Sequence, residues 1–460
     1  IRCILDRGME CRHKEKWKMF GRSKKPTKKT AASPSAHHTQ TTAVAARPPA
    51  QPVQRSWLSQ LEGQFLISGQ GVVMKVYIEN FKRMNDLFGF EQCNALLNIV
   101  REYLERKTGC SVFRNVGVEF IIIMRNKTVK DAHQAAEQII ARFGENWIVE
   151  DKKFFCTAQI ALCAYPGFPS SAGELLKYLD LAILSGTDRG SNQIVVYDNE
   201  LHGQYLRRQA IAKNISTAIT KEQVEISYRP IYSQRRGRFT RAELLMRLFI
   251  PEVGMIGSEE YLPIAEDTGQ LRVVEYYMLN QAAAAIARLL EEGKKFESIA
   301  VSIPPSLLLH GDFIEEISQL MEEYQIPPKK LALEIDEFAA GSAYCDISVL
   351  LQNLSWLGVE LVLDNFGSGS TGLSWIFELP VDTLKFNPSF VWQLENNKKS
   401  RPINEGLVQI ARRMKKKLIA SGVNTQRQKE LLDHLGCDLQ QGAFLSPIMP
   451  EQELMAVLSR

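Results

Sequence analysis

Four residues in the C-terminal half have the types and spacing to do chemistry together: Glu243, Glu334, Asp364 and Lys385. Each falls near the end of a run that reads as a β-strand, namely Phe239–Leu245, Leu331–Ile335, Glu360–Leu363 and Thr383–Phe386. In a barrel of alternating strands and helices the strand ends converge on one face, so three carboxylates and an ammonium could meet there. Hard oxygen ligands of this kind suit Mg²⁺ or Mn²⁺. Two such ions about 4 Å apart can activate a water and stabilise charge on phosphoryl oxygens.

The elements that must position these residues are legible from Val224 onward. Further strands are expected at Ile226–Pro230, Ser298–Ile303 and Lys417–Ala420, with helices between them such as Val274–Leu290 and Gly406–Lys415. Repeated β-then-α over about 235 residues is the rhythm of a TIM-like barrel. Upstream the pattern is also mixed. It has strands at Val72–Ile78, Phe120–Met124, Phe154–Ala164 and Ile194–Tyr197, and helices at Glu91–Arg106 and Gly173–Leu184. A helical stretch, Gly203–Thr220, joins the two. The expected organisation is a basic tail and linker over 1–55, an α/β domain over 56–200, a connecting helix over 201–222 and the barrel over 223–460.

Composition narrows the class. The chain has 460 residues, enough for two or three domains, and is 45% hydrophobic and 23% charged, as expected of a soluble globular protein. No run of 18 or more apolar residues predicts a membrane span, and Ile1–Leu5 is too short for a signal-peptide core. Eight scattered cysteines with no CxxC pair suggest neither a zinc site nor a disulfide framework, which fits a reducing cytoplasm. The net charge is +4, and Lys and Arg crowd between Arg12 and Lys29. Such a segment could touch RNA or an anionic membrane surface, or be a solvated tail. The Pro-, Ala-, Ser- and Thr-rich stretch 24–54 reads as a linker, and order is expected to begin near Trp57.

Motifs extend the four residues into a pattern. In order they are Ala242-Glu243-Leu244-Leu245-Met246-Arg247, Leu331 to Glu337 (LALEIDE), Leu363 to Gly369 (LDNFGSG), Asp382-Thr383-Leu384-Lys385, and Ala420 to Asn424 (ASGVN). Their order and spacing resemble the EAL family, the cyclic di-GMP phosphodiesterases. The resemblance implies metal ligands at Glu243, Glu334 and Asp364, with Lys385 orienting the attacking water. It implies ligand contacts at Arg247 and Leu245 in the ELLMR segment, at Pro263 and Glu266 in the loop bordering the pocket, and at Gln441, which would meet a guanine. Several family positions carry a different side chain. Ser302 stands for an Asn ligand, Asn365 for the second Asp of DDFGTG and Asn387 for the Asp after the lysine. Ser421 and Asn424 stand for the two Glu of EGVE, and Arg229 for the Gln of YQPI. Loss of a general base costs roughly 10²- to 10⁴-fold in rate.

Asn80 to Gly89 (NFKRMNDLFG) resembles the FKxxND segment of GGDEF domains, the diguanylate cyclases. Against that family Tyr77 replaces a metal-binding Asp, Val116 the first signature glycine and Val118 an acidic residue, whereas Glu119 and Asn85 are kept. Asn94 replaces a supporting Asp, and the inhibitory RxxD is absent at Lys107–Cys110. One carboxylate cannot neutralise a triphosphate–metal cluster.

Three readings stay open. One is a catalytically impaired EAL-domain receptor or regulator of cyclic di-GMP with a protein partner. Another is a weak phosphodiesterase built on one metal. The last is an adaptor acting on RNA turnover or a protein, as in the RNase E specificity regulator type, which this tandem also resembles. The resemblance further implies a homodimer.

Overall fold

The computed structural model describes residues 69–458 apart from 116, 168, 309–310, 338–343, 368–374, 398 and 400, together with 59, 62 and 63. The expected tail and linker over 1–55 and the start of order near Trp57 lie outside the described residues, as does Val116.

The N-terminal sheet has five strands in the order β2-β3-β1-β6-β7: β1 (Gly71–Ile78), β2 (Val112–Arg114), β3 (Glu119–Arg125), β6 (Ala158–Tyr165) and β7 (Ile194–Val196). β1 lies between β3 and β6, antiparallel to both. The period of two sends Val72, Met74, Val76 and Ile78 to one face, where they join a core with Leu96, Leu97, Val100 and Leu104 of the helix Phe90–Thr108 and Ala132, Ala136 and Ile139 of the helix Val129–Phe143. Tyr77 and Glu119 are register partners at the ends of β1 and β3.

The run expected as one strand, Phe154–Ala164, is two. β4 (Trp147–Val149) and β5 (Lys152–Phe154) form a separate hairpin, while Ala158–Tyr165 joins the main sheet. Phe154 pairs with Trp147 in this hairpin, and its ring centroid lies 4.4 Å from that of Phe88.

The C-terminal sheet runs β10-β9-β11-β12-β13-β14-β15-β16-β8, and β8 pairs again with β9, closing an eight-stranded barrel. Its strands are β8 (Val224–Ser233), β9 (Arg238–Ile250), β11 (Ser298–Ser302), β12 (Leu331–Asp336), β13 (Glu360–Phe366), β14 (Thr383–Phe386), β15 (Lys417–Ser421) and β16 (Leu439–Gln441), with β10 (Gly254–Ile256) continuing β9 as a hairpin. From β9 through β16 neighbours are parallel, whereas β8 is antiparallel to both of its neighbours. β16 was not among the expected strands. It has three residues and no long apolar run, yet the barrel cannot close without it.

The interior is layered by the same period of two. Ala300, Ala332 and Val362 form one apolar cluster and Ile231, Ile419 and Leu439 another. Below them, at the strand starts, lie Arg241, Ser298, Glu360 and Thr383. Above them, at the strand ends, lie Glu243, Glu334, Asp364 and Lys385. Residues two apart on one strand thus lead from floor to mouth, as Arg241 does to Glu243 and Thr383 to Lys385.

Candidate functional site

The four residues singled out by sequence do meet. The Lys385 ammonium lies 2.7 Å from Glu334 Oε2, 3.1 Å from Glu243 Oε2 and 3.6 Å from Asp364 Oδ2. Lys385, Glu243 and Glu334 are all buried. Burial alone would lower the lysine's pKa, but the three carboxylates outweigh it and hold the ammonium charged well above its usual range.

The two glutamates on Lys385 move in opposite directions. Burial pushes Glu334 up to about 8, with Lys385 pulling against it and Glu243 and Asp364 adding repulsion. Glu243 is equally buried, but Lys385, then Arg229 and a hydrogen bond from Gln441 outweigh burial and hold it below the ordinary range. Geometry supports the split. Glu243 Oε2 also accepts from Gln441 Nε2 at 3.0 Å and lies 3.5 Å from Arg229 Nη1, whereas Glu334 Oε1 is buried with no hydrogen-bond partner.

Beside this cluster runs a network of amides. Asn387 Nδ2 donates to Asn365 Oδ1 at 3.2 Å, and Asn365 Nδ2 donates to Asp336 Oδ2 at 2.7 Å. Asn387 also caps the helix Pro388–Asn396, its side-chain oxygen accepting from Ser389 N. Asn365 has φ of +56°, a conformation asparagine tolerates, and the β13–β14 register shifts across it, so that Phe366 pairs again with Phe386. The Ser421 hydroxyl is turned inward and donates to the Phe386 carbonyl. The Asn424 backbone N–H donates to Gln428 Oε1 at 2.7 Å at the start of the next helix.

This donor set does not fit a pair of divalent ions. The two amides that stand for aspartates carry no charge, and Asn365 is bonded to both Asn387 and Asp336. Among the described residues no group of three or more His, Cys, Asp or Glu side chains is arranged to hold a metal ion.

A cavity of about 470 Å³ opens over the cluster, lined in part by Arg229, Glu243, Asp364, Lys385, Asn424 and Gln441. Gln441 lines it but is buried, its amide nitrogen bonded to Glu243 and its Oε1 without a partner. Ser302 ends β11 beside Glu334 of β12. Leu245, Arg247, Pro263 and Glu266 are not among the lining residues. Arg247 is exposed on β9, two steps of the strand alternation beyond Glu243, and Pro263 and Glu266 are exposed on the helix Ser258–Asp267. Sequence reasoning missed the part played by Asp336. Its signal was its place two residues after Glu334 on the same strand.

In the N-terminal domain Glu119 is held by Lys75 at 2.8 Å and by Asn115 Nδ2 at 2.8 Å, and Lys75, buried on β1, also pairs with Asp180. Asn94 Oδ1 accepts from Arg114 Nη2 at 3.2 Å. Val118 packs against the domain core. Among the described residues the Asn85 side-chain oxygen is buried without a partner.

The profile of the EAL domain matches residues 212–448, more than half of the chain, and that of the "Diguanylate cyclase, GGDEF domain" matches 54–193. The chain belongs to the EAL family, with a GGDEF domain ahead of the EAL domain. It is 26% identical over 386 residues to the bifunctional diguanylate cyclase/cyclic di-GMP phosphodiesterase MucR of Pseudomonas aeruginosa, covering 84% of this chain and 56% of that protein. It is 27% identical over 386 residues to the signaling protein YkoW of Bacillus subtilis, covering 83% and 48%. The chain thus spans about half the length of the curated relatives it matches. Among solved structures, the MucR phosphodiesterase in complex with c-di-GMP aligns at TM-score 0.51 and 28% identity over 53% of this chain and 99% of that one. The S helix-GGDEF-EAL structure of Vibrio cholerae LapD aligns at 0.54 over 86% and 96%, at 19% identity, a likeness of fold. Among the described residues no helix is long and apolar enough to cross a membrane.

Proposed function

We propose that this chain is a cyclic di-GMP receptor whose EAL barrel binds the dinucleotide without efficient hydrolysis, and that the GGDEF domain is a docking module without cyclase activity. The observation that carries the reading is the Asp336–Asn365–Asn387 network, which occupies both amides that stand for family aspartates. A two-metal phosphodiesterase needs carboxylates there and a base to take a proton from water. The side chain at the base position, Ser421, has no basic group and donates its proton to a carbonyl. Glu243, Glu334 and Asp364 are then a remnant of a metal site, and no Mg²⁺ or Mn²⁺ is required for binding. Support for the ligand comes from the cavity, which carries Arg229 and Lys385, and from the c-di-GMP complex of the related MucR phosphodiesterase.

In the GGDEF domain the Lys75 ammonium lies against Glu119, the remaining carboxylate, and Tyr77 supplies no second ligand. The output would be a protein contact. Trp356, Phe377, Trp392 and Ile403, on helices between β12 and β15, are each more than half exposed, which supports a homodimer or a protein partner.

Calorimetric titration of cyclic di-GMP into the full chain tests the reading. Saturable binding with Mg²⁺ or with EDTA is expected. No heat and no saturation in either buffer would remove the receptor reading and favour a protein or RNA adaptor.

A further inference from the structure

Arg229 stands where the family pattern has a glutamine. Arg229 lies on β8 directly opposite Glu243 of β9, within an antiparallel pairing that runs the length of β8. Its backbone is therefore fixed, while its side chain lines the cavity and is 38% exposed. A guanidinium offers five N–H donors in a planar fork. Among the described residues the only acceptor of the Arg229 side chain is Glu243 Oε2, at the long distance of 3.5 Å.

Glu243 keeps closer partners when that contact is lost. The same oxygen takes 3.1 Å and 3.0 Å contacts from Lys385 and Gln441. Arg229 can leave it without stranding a buried carboxylate, which makes the movement cheap. The charges lining the cavity also depend on this residue. Arg229 and Lys385 offset Glu243 and Asp364, and a glutamine at 229 would leave an excess of negative charge facing any anionic ligand.

We infer that Arg229 is a specificity-determining residue, resting on Glu243 in the free protein and turning into the cavity to grip a bridging phosphodiester in place of a divalent cation. The match is geometric as well as electrostatic. A guanidinium meets two phosphate oxygens with two parallel N–H bonds, whereas a lysine presents a single point charge. This rests on the receptor reading above and adds to it the group that holds the phosphate.

The test is titration of the full chain, its Arg229→Gln variant and its Arg229→Lys variant with cyclic di-GMP, each in Mg²⁺ and in EDTA. The linear dinucleotide and inorganic phosphate serve as competitors. The parent is expected to bind equally in both buffers. Arg229→Gln should bind roughly 10- to 100-fold more weakly, as for the loss of a charged hydrogen bond, with Arg229→Lys between the two. Displacement by inorganic phosphate alone would mark a simple anion site and overturn the assignment to a bridging phosphodiester. Arg229→Gln binding as tightly as the parent would overturn the inference and leave the receptor reading standing. A parent that does not bind at all would overturn both. Thermal unfolding of the variants near the parent value ties any loss of affinity to the side chain rather than to the fold.

Discussion

Both ends of the barrel hold a buried cation among carboxylates, and they differ in what is left over. At the strand starts Arg241 donates to Glu360 Oε1 at 2.6 Å and to Glu297 Oε2 at 2.9 Å. Glu360 also accepts from Thr383 at 2.8 Å, Ser298 at 2.9 Å and Lys417 at 3.1 Å, so both of its oxygens are used. Arg236 serves the other oxygen of Glu297 at 2.8 Å. At the strand ends Lys385 faces three carboxylates with only a 3.5 Å contact from Arg229 to Glu243 beside it, Glu334 Oε1 and Gln441 Oε1 have no partner among the described residues, and a cavity opens above. A closed network is what stability asks of a barrel floor, whereas unfilled acceptors beneath a cavity are what a ligand site asks of the mouth.

The largest effect should come from breaking the floor. Arg241→Met leaves Glu360 and Glu297 without their shared cation inside the barrel and should cost about 3–5 kcal/mol in denaturant unfolding. Lys385→Met should cost less, about 1–3 kcal/mol, because Asp364 is part-exposed and Glu334 can hold a proton. Equal costs would mean that the two ends are structurally alike.

Acid and alkali should then act on opposite ends. Burial works against the Glu360 charge, but Arg241 and Lys417 outweigh it and hold its pKa at about 2, below the unfolded value. Its contribution is therefore complete above the ordinary carboxylate range and is lost as pH falls from about 4.5 towards 2, on the order of 2–3 kcal/mol. Glu334 is shifted the other way. The folded state keeps its proton between about 4.5 and 8, so stability falls as pH rises through that window. Unfolding midpoints across pH should show Glu360→Gln flattening only the loss below about pH 4.5 and Glu334→Gln flattening only the decline between about 4.5 and 8. One substitution flattening both would erase the distinction.

A smaller effect should come from restoring charge at the mouth. The double change Asn365→Asp, Asn387→Asp replaces the amide bridge with like charges beside Asp336. It should lower stability by about 1 kcal/mol, roughly 2–4 °C in midpoint, without divalent cations. Millimolar Mg²⁺ should recover the loss in the double variant and leave the parent's midpoint unchanged. A parent that Mg²⁺ stabilises as much as the variant would show that the amides do not exclude the ion.

Much of this could be read from the residues, for identifiable reasons. Leu331–Asp336 opens as a short apolar run and Thr383–Phe386 alternates polar with apolar residues, and the spacing of such strands carried the barrel rhythm. β16 has no such signal, because its residues are selected by closure of the barrel rather than by local preference. Phe154–Ala164 read as one strand because it is mostly apolar, whereas Phe154 pairs with Trp147 in the hairpin and Ala158 onward pairs with β1. At the mouth, the convergence of Glu243, Glu334, Asp364 and Lys385 followed from their places at strand ends. That Asn365 and Asn387 hydrogen-bond each other did not follow, since amide direction is set by neighbours brought from separate strands. The floor network had a signal that went unread, namely Arg241 two residues before Glu243 and Thr383 two before Lys385.

The proposed receptor binds the dinucleotide at the barrel mouth and does not cut it. The most direct measurement is chromatography of cyclic di-GMP recovered after incubation with stoichiometric full-length chain in Mg²⁺ and, separately, in Mn²⁺. Intact nucleotide is expected in both. Linear product that disappears in the Glu243→Ala variant would contradict it and show a working phosphodiesterase despite Asn365, Asn387 and Ser421.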